Sequence, residues 1–475
     1  MLEYQQLNSF FNNNNYDEKY NLFEYYAAHG LAAEGEVMTY PPPTANPDSA
    51  IPLSAPFALP AIEAQAIESI RKYGPLSRTA IADAMGYSRS RITSVINNLI
   101  TWGILEEIGE GRSTGGRRPR VLTFKPEFGY LVGIDMGATS LDVAVADFSG
   151  RILDRHTRPI NVREGPEFIL GLACELTQKI LERFNITPHK VYAFGIGVPG
   201  PVEFSTGLLI SPPIMPGWNS YPIRAHIQEQ FPCTVVIVDN DVNVMALGEL
   251  RSGAGAGENN FIYVKIGTGI GAGIVCKGEI YRGANGCAGD IGHICADRNG
   301  PPCHCGNTGC LEAMAAAPAI AAQAMEIITR FPDSILAQYA QEQQGQLTAI
   351  DVGRAAAQGD HHANDIIREC GRMIGEVLAS LVNFYNPSLV LIGGGVSNIG
   401  NQFLASIRRG ILQRSLPLST RHLRIDISPM GADAGIIGAI SLAREHVFII
   451  EGEASLDRQI PEKRRSFDKT ANSLI

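Results

Sequence analysis

The chain has 475 residues, 45% hydrophobic and 18% charged, with a net charge of -9 at neutral pH. Such a length allows two or three domains, each able to bury a core, and the acidic balance excludes a protein that coats nucleic acid over its whole surface. No apolar run reaches membrane-spanning length, and the opening residues Met1-Leu2-Glu3-Tyr4-Gln5 are neither basic nor apolar enough for an export signal, so a cytoplasmic location is expected.

Residues 1–58 contain the run Asn12 to Asn15 and the stretch Tyr40-Pro41-Pro42-Pro43. Proline and polar residues at this density form neither helix nor core, and the segment is expected to be a disordered arm. From residue 59 the pattern changes. Ile62, Ala66, Ile67 and Ile70 fall at helical spacing, and Gly74-Pro75 ends that helix. Ser77 is placed to cap a short helix with Ile81, Ala84 and Met85 inward, and Gly86-Tyr87 makes a turn. Ser88 caps a third helix reaching about Trp102, buried through Ile92, Val95, Ile96 and Leu99. Its exposed start carries Arg89, Ser90, Arg91 and Thr93. Two short strands around a Gly-rich turn follow as a wing, with Arg112, Arg117, Arg118 and Arg120 near its tip. Residues 59–125 therefore read as a winged helix-turn-helix. Between Ala61 and Lys125 ten Lys and Arg stand against six Asp and Glu, about +4 in an acidic chain. That balance points to double-stranded DNA, with the third helix in the major groove and the Gly-Arg-Arg-Pro segment on the backbone or minor groove.

A second domain, 126–445, is expected to be α/β. Tyr130 to Asp135 is a buried strand, and Met136 to Ser140 its turn. Asp135, Gly137 and Thr139 have the form of a phosphate-binding hairpin, where backbone amides and a hydroxyl meet phosphate. The strand Val235 to Asp239 delivers Asn240 and Asp241 into a crevice, the usual ligand position in such sheets. A second phosphate-type turn, Gly267 to Gly273, includes Gly267, Thr268 and Gly269. A further strand ends in Gly393, Gly394 and Gly395, which could admit a flat base. From about His446 the chain turns polar and basic, and 446–475 is expected to be a loose tail.

Between these lies Gly289-Asp290-Ile291-Gly292-His293, followed by Cys303-His304-Cys305-Gly306-Asn307-Thr308-Gly309-Cys310-Leu311-Glu312. Three cysteines and a histidine within about twenty residues fit a tetrahedral structural zinc site. His293 arrives from a separate segment and suits it better than His304, which stands between two candidate ligands. A disulfide is the rival reading; Cys303 and Cys305 are too close in sequence to pair easily. Asp290 and Glu312 are acceptors suited to sugar hydroxyls. The other cysteines, among them Cys174, Cys233, Cys276, Cys287, Cys295 and Cys370, read as packed thiols.

The three glycine turns, in this order, resemble the two phosphate motifs and the adenosine motif of the actin-like ATPase (ribonuclease H-like) fold. With Asn240-Asp241 and the zinc stretch, the chain resembles the ROK family of repressors, open reading frames and kinases over roughly Ala61 to Glu445. The helix-turn-helix makes it similar to the xylose and N-acetylglucosamine regulators. The resemblance implies structural zinc on His293, Cys303, Cys305 and Cys310, within a knuckle at 293–310. It also implies sugar contacts from Asn240, Asp241, His293 and Glu312, with Asp241 the catalytic base in members that phosphorylate sugar. Kinase members usually have Gly-Gly-Thr and a polar or basic residue where Gly137-Ala138-Thr139-Ser140 stands here, and Glu where Asp290 stands. Both departures favour a sensor, with ATP and Mg needed only if turnover is retained. The expected function is a sugar-responsive regulator, a repressor of carbohydrate metabolism, binding an operator as a homodimer or homotetramer through contacts such as the Ala-rich helices between Met314 and Ala357. The alternative is an ATP-dependent sugar kinase carrying a DNA-binding module.

Overall fold

The computed structural model describes residues 57–110, 120–232 and 234–450. It opens with β1 (Phe57–Leu59), followed by α1 (Ala61–Tyr73), β2 (Leu76–Ser77), α2 (Arg78–Met85) and α3 (Arg89–Thr101). The wing follows as β3 (Leu105–Glu110) and β4 (Arg120–Phe124), with β4 central between β2 and β3. Ser77 and Ser88 cap their helices by accepting from the Ala80 and Arg91 amides. The α3 face Ile92, Val95, Ile96, Leu99 is buried as its spacing predicts. On α2 the buried pair is Ile81 and Ala82, and the expected Ala84 is exposed, because eight residues make too short a helix for spacing to fix its facing.

The second domain is two sheets of one design. The first is built from β5 (Tyr130–Met136), β6 (Ser140–Asp147), β7 (Ile152–Pro159), β8 (Val191–Val198) and, after the small hairpin β9 (Val202–Glu203) and β10 (Leu208–Leu209), β11 (Val235–Asn240). The second contains β12 (Phe261–Ile266), β13 (Ile270–Cys276), β14 (Glu279–Tyr281), β15 (Leu389–Gly393) and β16 (Arg424–Ile427). Their orders, β7-β6-β5-β8-β11 and β14-β13-β12-β15-β16, match strand for strand: two antiparallel pairings, then two parallel ones. This duplicated sheet is the actin-like ATPase fold.

Helices α4 (Pro166–Arg183) and α5 (Ile223–Gln230) share a core with the first sheet, and α6 (Asp241–Ser252) follows β11 directly. In the second lobe α7 (Leu311–Ala315), α8 (Ala317–Arg330), α9 (Ile335–Glu342), α10 (Ala349–Ala357), the long α11 (His361–Tyr385) and α12 (Asn401–Arg414) share the other core. The alanine faces expected to meet a partner chain are largely used here: Ala324, Ala337, Ala340, Ala349 and Ala355 are all buried. The short α13 (Pro417–Thr420) precedes β16, and α14 (Asp433–Glu445) follows it. Each of α6 and α14 packs on the sheet of the opposite lobe: α6 on β12 and β13, α14 on β5 and β8. The two helices touch backbone to backbone. A Cβ at Gly248 would lie 2.2 Å from the Ala434 carbonyl, and one at Gly438 would lie 1.8 Å from that of Val244.

Three expected boundaries move. Phe57–Leu59, assigned largely to the arm, pairs in parallel with β17 (Phe448–Ile450), assigned to the tail. Phe57 and Phe448 have apolar rings to bury, and they join Phe128, Phe148 and Tyr192 in an aromatic cluster with centroids 4.9–6.4 Å apart. Phe124 of the wing joins the same cluster through Phe148, so the winged helix and the second domain share one core. The expected turn Gly267–Gly273 shrinks to Gly267–Gly269, because Ile270 to Gly273 belongs to β13, where glycine lets α6 approach: a Cβ at Gly273 would sit 2.6 Å from that of Ala246.

Replacing Gly248 by Val should lower unfolding stability by about 3 kcal/mol, as overpacking of a close crossing does. Gly171→Ala, in a helix with open space around it, should be neutral or stabilise by about 0.5 kcal/mol. Urea denaturation of both variants checks the contrast.

Candidate functional site: a buried ion pair and a cysteine–histidine cluster tied to a winged helix

The ends of β5, β11 and β12 converge on one charged group. Asp241, the first residue of α6, is buried, and its Oδ2 pairs with the ammonium of Lys265 from β12. Its Oδ1 accepts from the Val242 amide at 2.9 Å. Asp135, near the end of β5, feels the charge of the same ammonium. Burial pushes the Asp135 carboxyl up to about 7; Lys265 and Arg155 oppose the rise, Asp241 and Asp142 add to it. Burial alone would lower the Lys265 pKa, but Asp241 and Asp135 outweigh it and hold the group above its ordinary value. Sequence reasoning missed Lys265; its signal is a lone cation in the apolar run Phe-Ile-Tyr-Val-Lys-Ile that leads into Gly267.

Asn240 is spent on structure. Its Oδ1 caps α6 by accepting from the Val242 and Asn243 amides at 2.9 and 3.3 Å, and its Nδ2 donates to the Gly200 carbonyl at 3.0 Å. It therefore orients Asp241 and joins it to the Pro199-Gly200-Pro201 turn. Gly137 donates to the Ser140 carbonyl at 2.8 Å and Gly267 to that of Gly269 at 2.9 Å, leaving Thr139 and Thr268 exposed. Gly394, at φ 86°, and Gly395 follow β15. The Ala138 methyl packs against the first-lobe core.

The zinc stretch lies along β13. Ala272 donates to the Gly289 carbonyl at 2.8 Å, and Leu311 to that of Ile294 at 2.9 Å. Ligand atoms of His293, Cys303, Cys305 and Cys310 all lie within 4.8 Å of one another. The Cys305–Cys310 sulfur separation and the Cys303 Sγ to His293 Nδ1 distance are both 3.7 Å. A tetrahedron with bonds of about 2.3 Å has edges of about 3.8 Å, so the donor set fits zinc; a disulfide would need about 2.0 Å. His304 is exposed and outside the group. Zinc here would fix His293 and, two residues beyond Cys310, Glu312, whose Oε2 accepts from the Ile270 amide at 3.0 Å. Asp290, His293 and Glu312 are electrostatic neighbours, with Asp290 exposed.

The far end of α6 reaches the winged helix. Arg251 donates to Glu445 Oε1 at 2.6 Å, and Arg71 of α1 donates to the Glu445 carbonyl at 2.9 Å. Burial would raise the Glu445 pKa, but Arg71 and Arg251 more than offset it, so the group stays ionised. A second path leaves the cleft through Asp239, which accepts from the Asn240 amide at 2.8 Å and from Arg282 at 2.9 Å. The Arg282 guanidinium lies 3.8 Å from the Phe204 ring, which meets His446 edge-on at 5.9 Å. None of these long-range partners is adjacent in sequence, and no motif announces them.

On the winged helix, Arg89, Ser90, Arg91 and Thr93 are exposed at the start of α3. Arg91 lies 5.1 Å from the centroid of the Tyr87 ring, and the Thr93 hydroxyl donates to the Arg89 carbonyl. Arg120 is held by Glu107, which also holds Arg78, at 2.9 and 3.0 Å. Arg112, Arg117 and Arg118 lie outside the described residues. No helix among the described residues is long and apolar enough to cross a membrane.

The family model described as "ROK family" matches residues 131–446, and the chain belongs to that family. A xylose repressor of Caldicellulosiruptor bescii is 31% identical over 367 residues, covering 77% of this chain and 91% of that protein. A glucokinase of Halalkalibacterium halodurans is 36% identical over 317 residues, covering 66% and 95%. The crystal structure of a ROK family transcriptional regulator, a homolog of the Escherichia coli MLC protein, superposes with a TM-score of 0.70 at 26% identity, covering 81% and 95%. The repressor and regulator thus match over more of the chain than the glucokinase, whose match is about the size of the second domain alone.

Elemental analysis should find about one zinc per chain, and Cys305→Ser should abolish it while lowering the melting temperature. The raised Asp135 pKa means the native state keeps a proton that the unfolded chain releases near 3.8. Its contribution is therefore present at acid pH and is lost as pH rises through about 7. Asp135→Asn should flatten that slope in denaturant titrations run between pH 4 and 8.

Proposed function

We propose that the protein is a sugar-responsive transcriptional repressor of carbohydrate metabolism, in which sugar binding between the lobes changes operator affinity. The observation that carries the reading is α6. One rigid helix begins at Asn240-Asp241 in the cleft and ends at Arg251, which holds Glu445 and through it Arg71 of the winged helix. Asp241, His293, Glu312 and Asp290 take sugar hydroxyls, and zinc on His293, Cys303, Cys305 and Cys310 keeps that wall in shape. Arg89, Ser90, Arg91 and Thr93 read the major groove, with Arg117 and Arg118 on the backbone. A homodimer or homotetramer presents two such heads to paired half-sites. The names of the xylose repressor and of the MLC homolog support this reading, as does the longer stretch over which they match.

Regulation requires the sugar to prefer one of two arrangements of lobes and head, since equal affinity for both shifts nothing. Closure of the lobes on a ligand turns α6 against α14, and Arg251 passes that movement to Glu445 and α1. The second reading, an ATP-dependent sugar kinase, rests on Asp241 standing where a base would take a hydroxyl proton; the glycine turns would then hold ATP and Mg. ADP release over a sugar panel, with Asp241→Asn as control, separates the two.

A thermal-shift screen of hexoses, pentoses and amino sugars should identify the effector. That sugar should then change the Kd for an operator selected from random duplexes by about tenfold or more. Arg251→Met should keep sugar binding and lose most of the change, and Arg89→Ala with Arg91→Ala should relax sequence preference by about 1–3 kcal/mol. A sugar that binds and leaves the operator Kd unchanged overturns the reading.

A further inference from the structure

Phosphoryl transfer to a hydroxyl needs a carboxylate free to accept the hydroxyl proton and a divalent cation to neutralise the phosphates. The base of this cleft provides neither opening. Both oxygens of Asp241 are engaged, one by the Val242 amide and one by the Lys265 ammonium. The charge of that ammonium also acts on Asp135, the carboxylate at the start of the first glycine hairpin. Asp142, the next acid in the group, is already paired with Arg155 at 3.1 Å, and Arg155 also reaches Asp433. The cation paired with Asp241, and one that acts on Asp135 more strongly than Arg155 does, is therefore the side chain of Lys265, which rises from β12 two residues before Gly267.

We propose that Lys265 is a built-in counter-ion that takes the place of a divalent metal ion between Asp135 and Asp241, and so makes the cleft bind sugar without magnesium and without turning it over. The residues present do not fit a magnesium ion at this point, because an ammonium and a dication would compete for the same two carboxylates and repel each other. An ammonium cannot bridge phosphate oxygens to carboxylates as a dication does, and it lowers the basicity of the carboxylate it pairs with. What it supplies is a fixed positive charge beside the Asp241 carboxylate, which holds a sugar hydroxyl as an acceptor. Lys265 is thus a specificity-determining residue, separating a sensing cleft from a kinase cleft. The inference deepens the repressor reading and rests on it for the identity of the ligand as a sugar, but its charge argument does not involve sugar.

The test uses the full-length, zinc-loaded chain and Mn2+ alone as probe, followed by electron paramagnetic resonance at pH 8. Wild-type protein should leave added Mn2+ essentially free. Lys265→Met, which keeps the bulk and removes the charge, should acquire one Mn2+ at least about tenfold more tightly. That gain should disappear when Asp135→Asn is added. Lys265→Gln gives a second variant should the Met variant fail to fold, and it is read the same way. Equal Mn2+ affinity in wild type and in the folded variant, or tight Mn2+ binding by the wild type, overturns the proposal. Sugar titrations are a separate arm. Wild-type affinity should be the same in EDTA and in Mg2+, and a wild type that binds sugar only with Mg2+ also overturns it. A wild type that binds no sugar while the Mn2+ arm behaves as expected overturns the sugar reading and upholds the counter-ion.

Discussion

The crossing of α6 and α14 is the constraint on which the molecule turns. Each helix leaves the last strand of its own sheet and packs on the sheet of the other lobe. Gly248 and Gly438 let the two backbones meet with no side chain between them. Such a contact tolerates little sliding, because interiors are packed as closely as crystals. The crossing therefore fixes how the two lobes meet, and with it the positions of whatever is attached to the helix ends. Asn240 and Asp241 are fixed to one end of α6, Arg251 to the other, and α14 ends at Glu445 and His446. Cleft and winged helix are thus attached to the same crossing.

The zinc stretch plays a complementary part. A loop rich in glycine has little to hold its shape, since each ordered residue costs about 1–2 kcal/mol of backbone entropy. Four donors drawn to one ion would supply that order locally. The consequence for the cleft is that His293 and Glu312, nineteen positions apart in sequence, are held on one wall along β13. The opposite wall is ordered differently, by the Asn240 cap and its bond to Gly200. One wall would be stiffened by a metal, the other is ordered by a helix terminus, and between them sits the Lys265 ion pair. The winged helix is joined by the Phe57, Phe128, Phe148, Tyr192, Phe448 cluster and by the β1–β17 pairing, which brings together segments almost four hundred residues apart.

Much of this was legible from the chain. Serine caps, the 3.6-residue spacing of Ile92, Val95, Ile96 and Leu99, and glycines at strand ends are local signals, and they placed the winged helix and strands of each lobe such as β5, β11 and β15. The donor set His293, Cys303, Cys305, Cys310 was readable because its spacing is short. What failed was of two kinds. Short elements such as α2 gave too few residues for periodicity to choose a face. Strand β13 hid behind its glycines, which serve a neighbouring helix rather than a turn.

The sequence by itself determined the element types, the run of strands ending in glycine and the grouping of one histidine and three cysteines, because each depends on residues within about a turn or a loop of one another. Tertiary structure alone decided that Lys265 meets Asp241, that Asn240 is consumed in holding the cleft, and that Arg71, Arg251 and Glu445 join across the whole chain. Those contacts are set by how sheets and helices stack, and charge partners brought together by stacking leave no periodic trace in the order of residues.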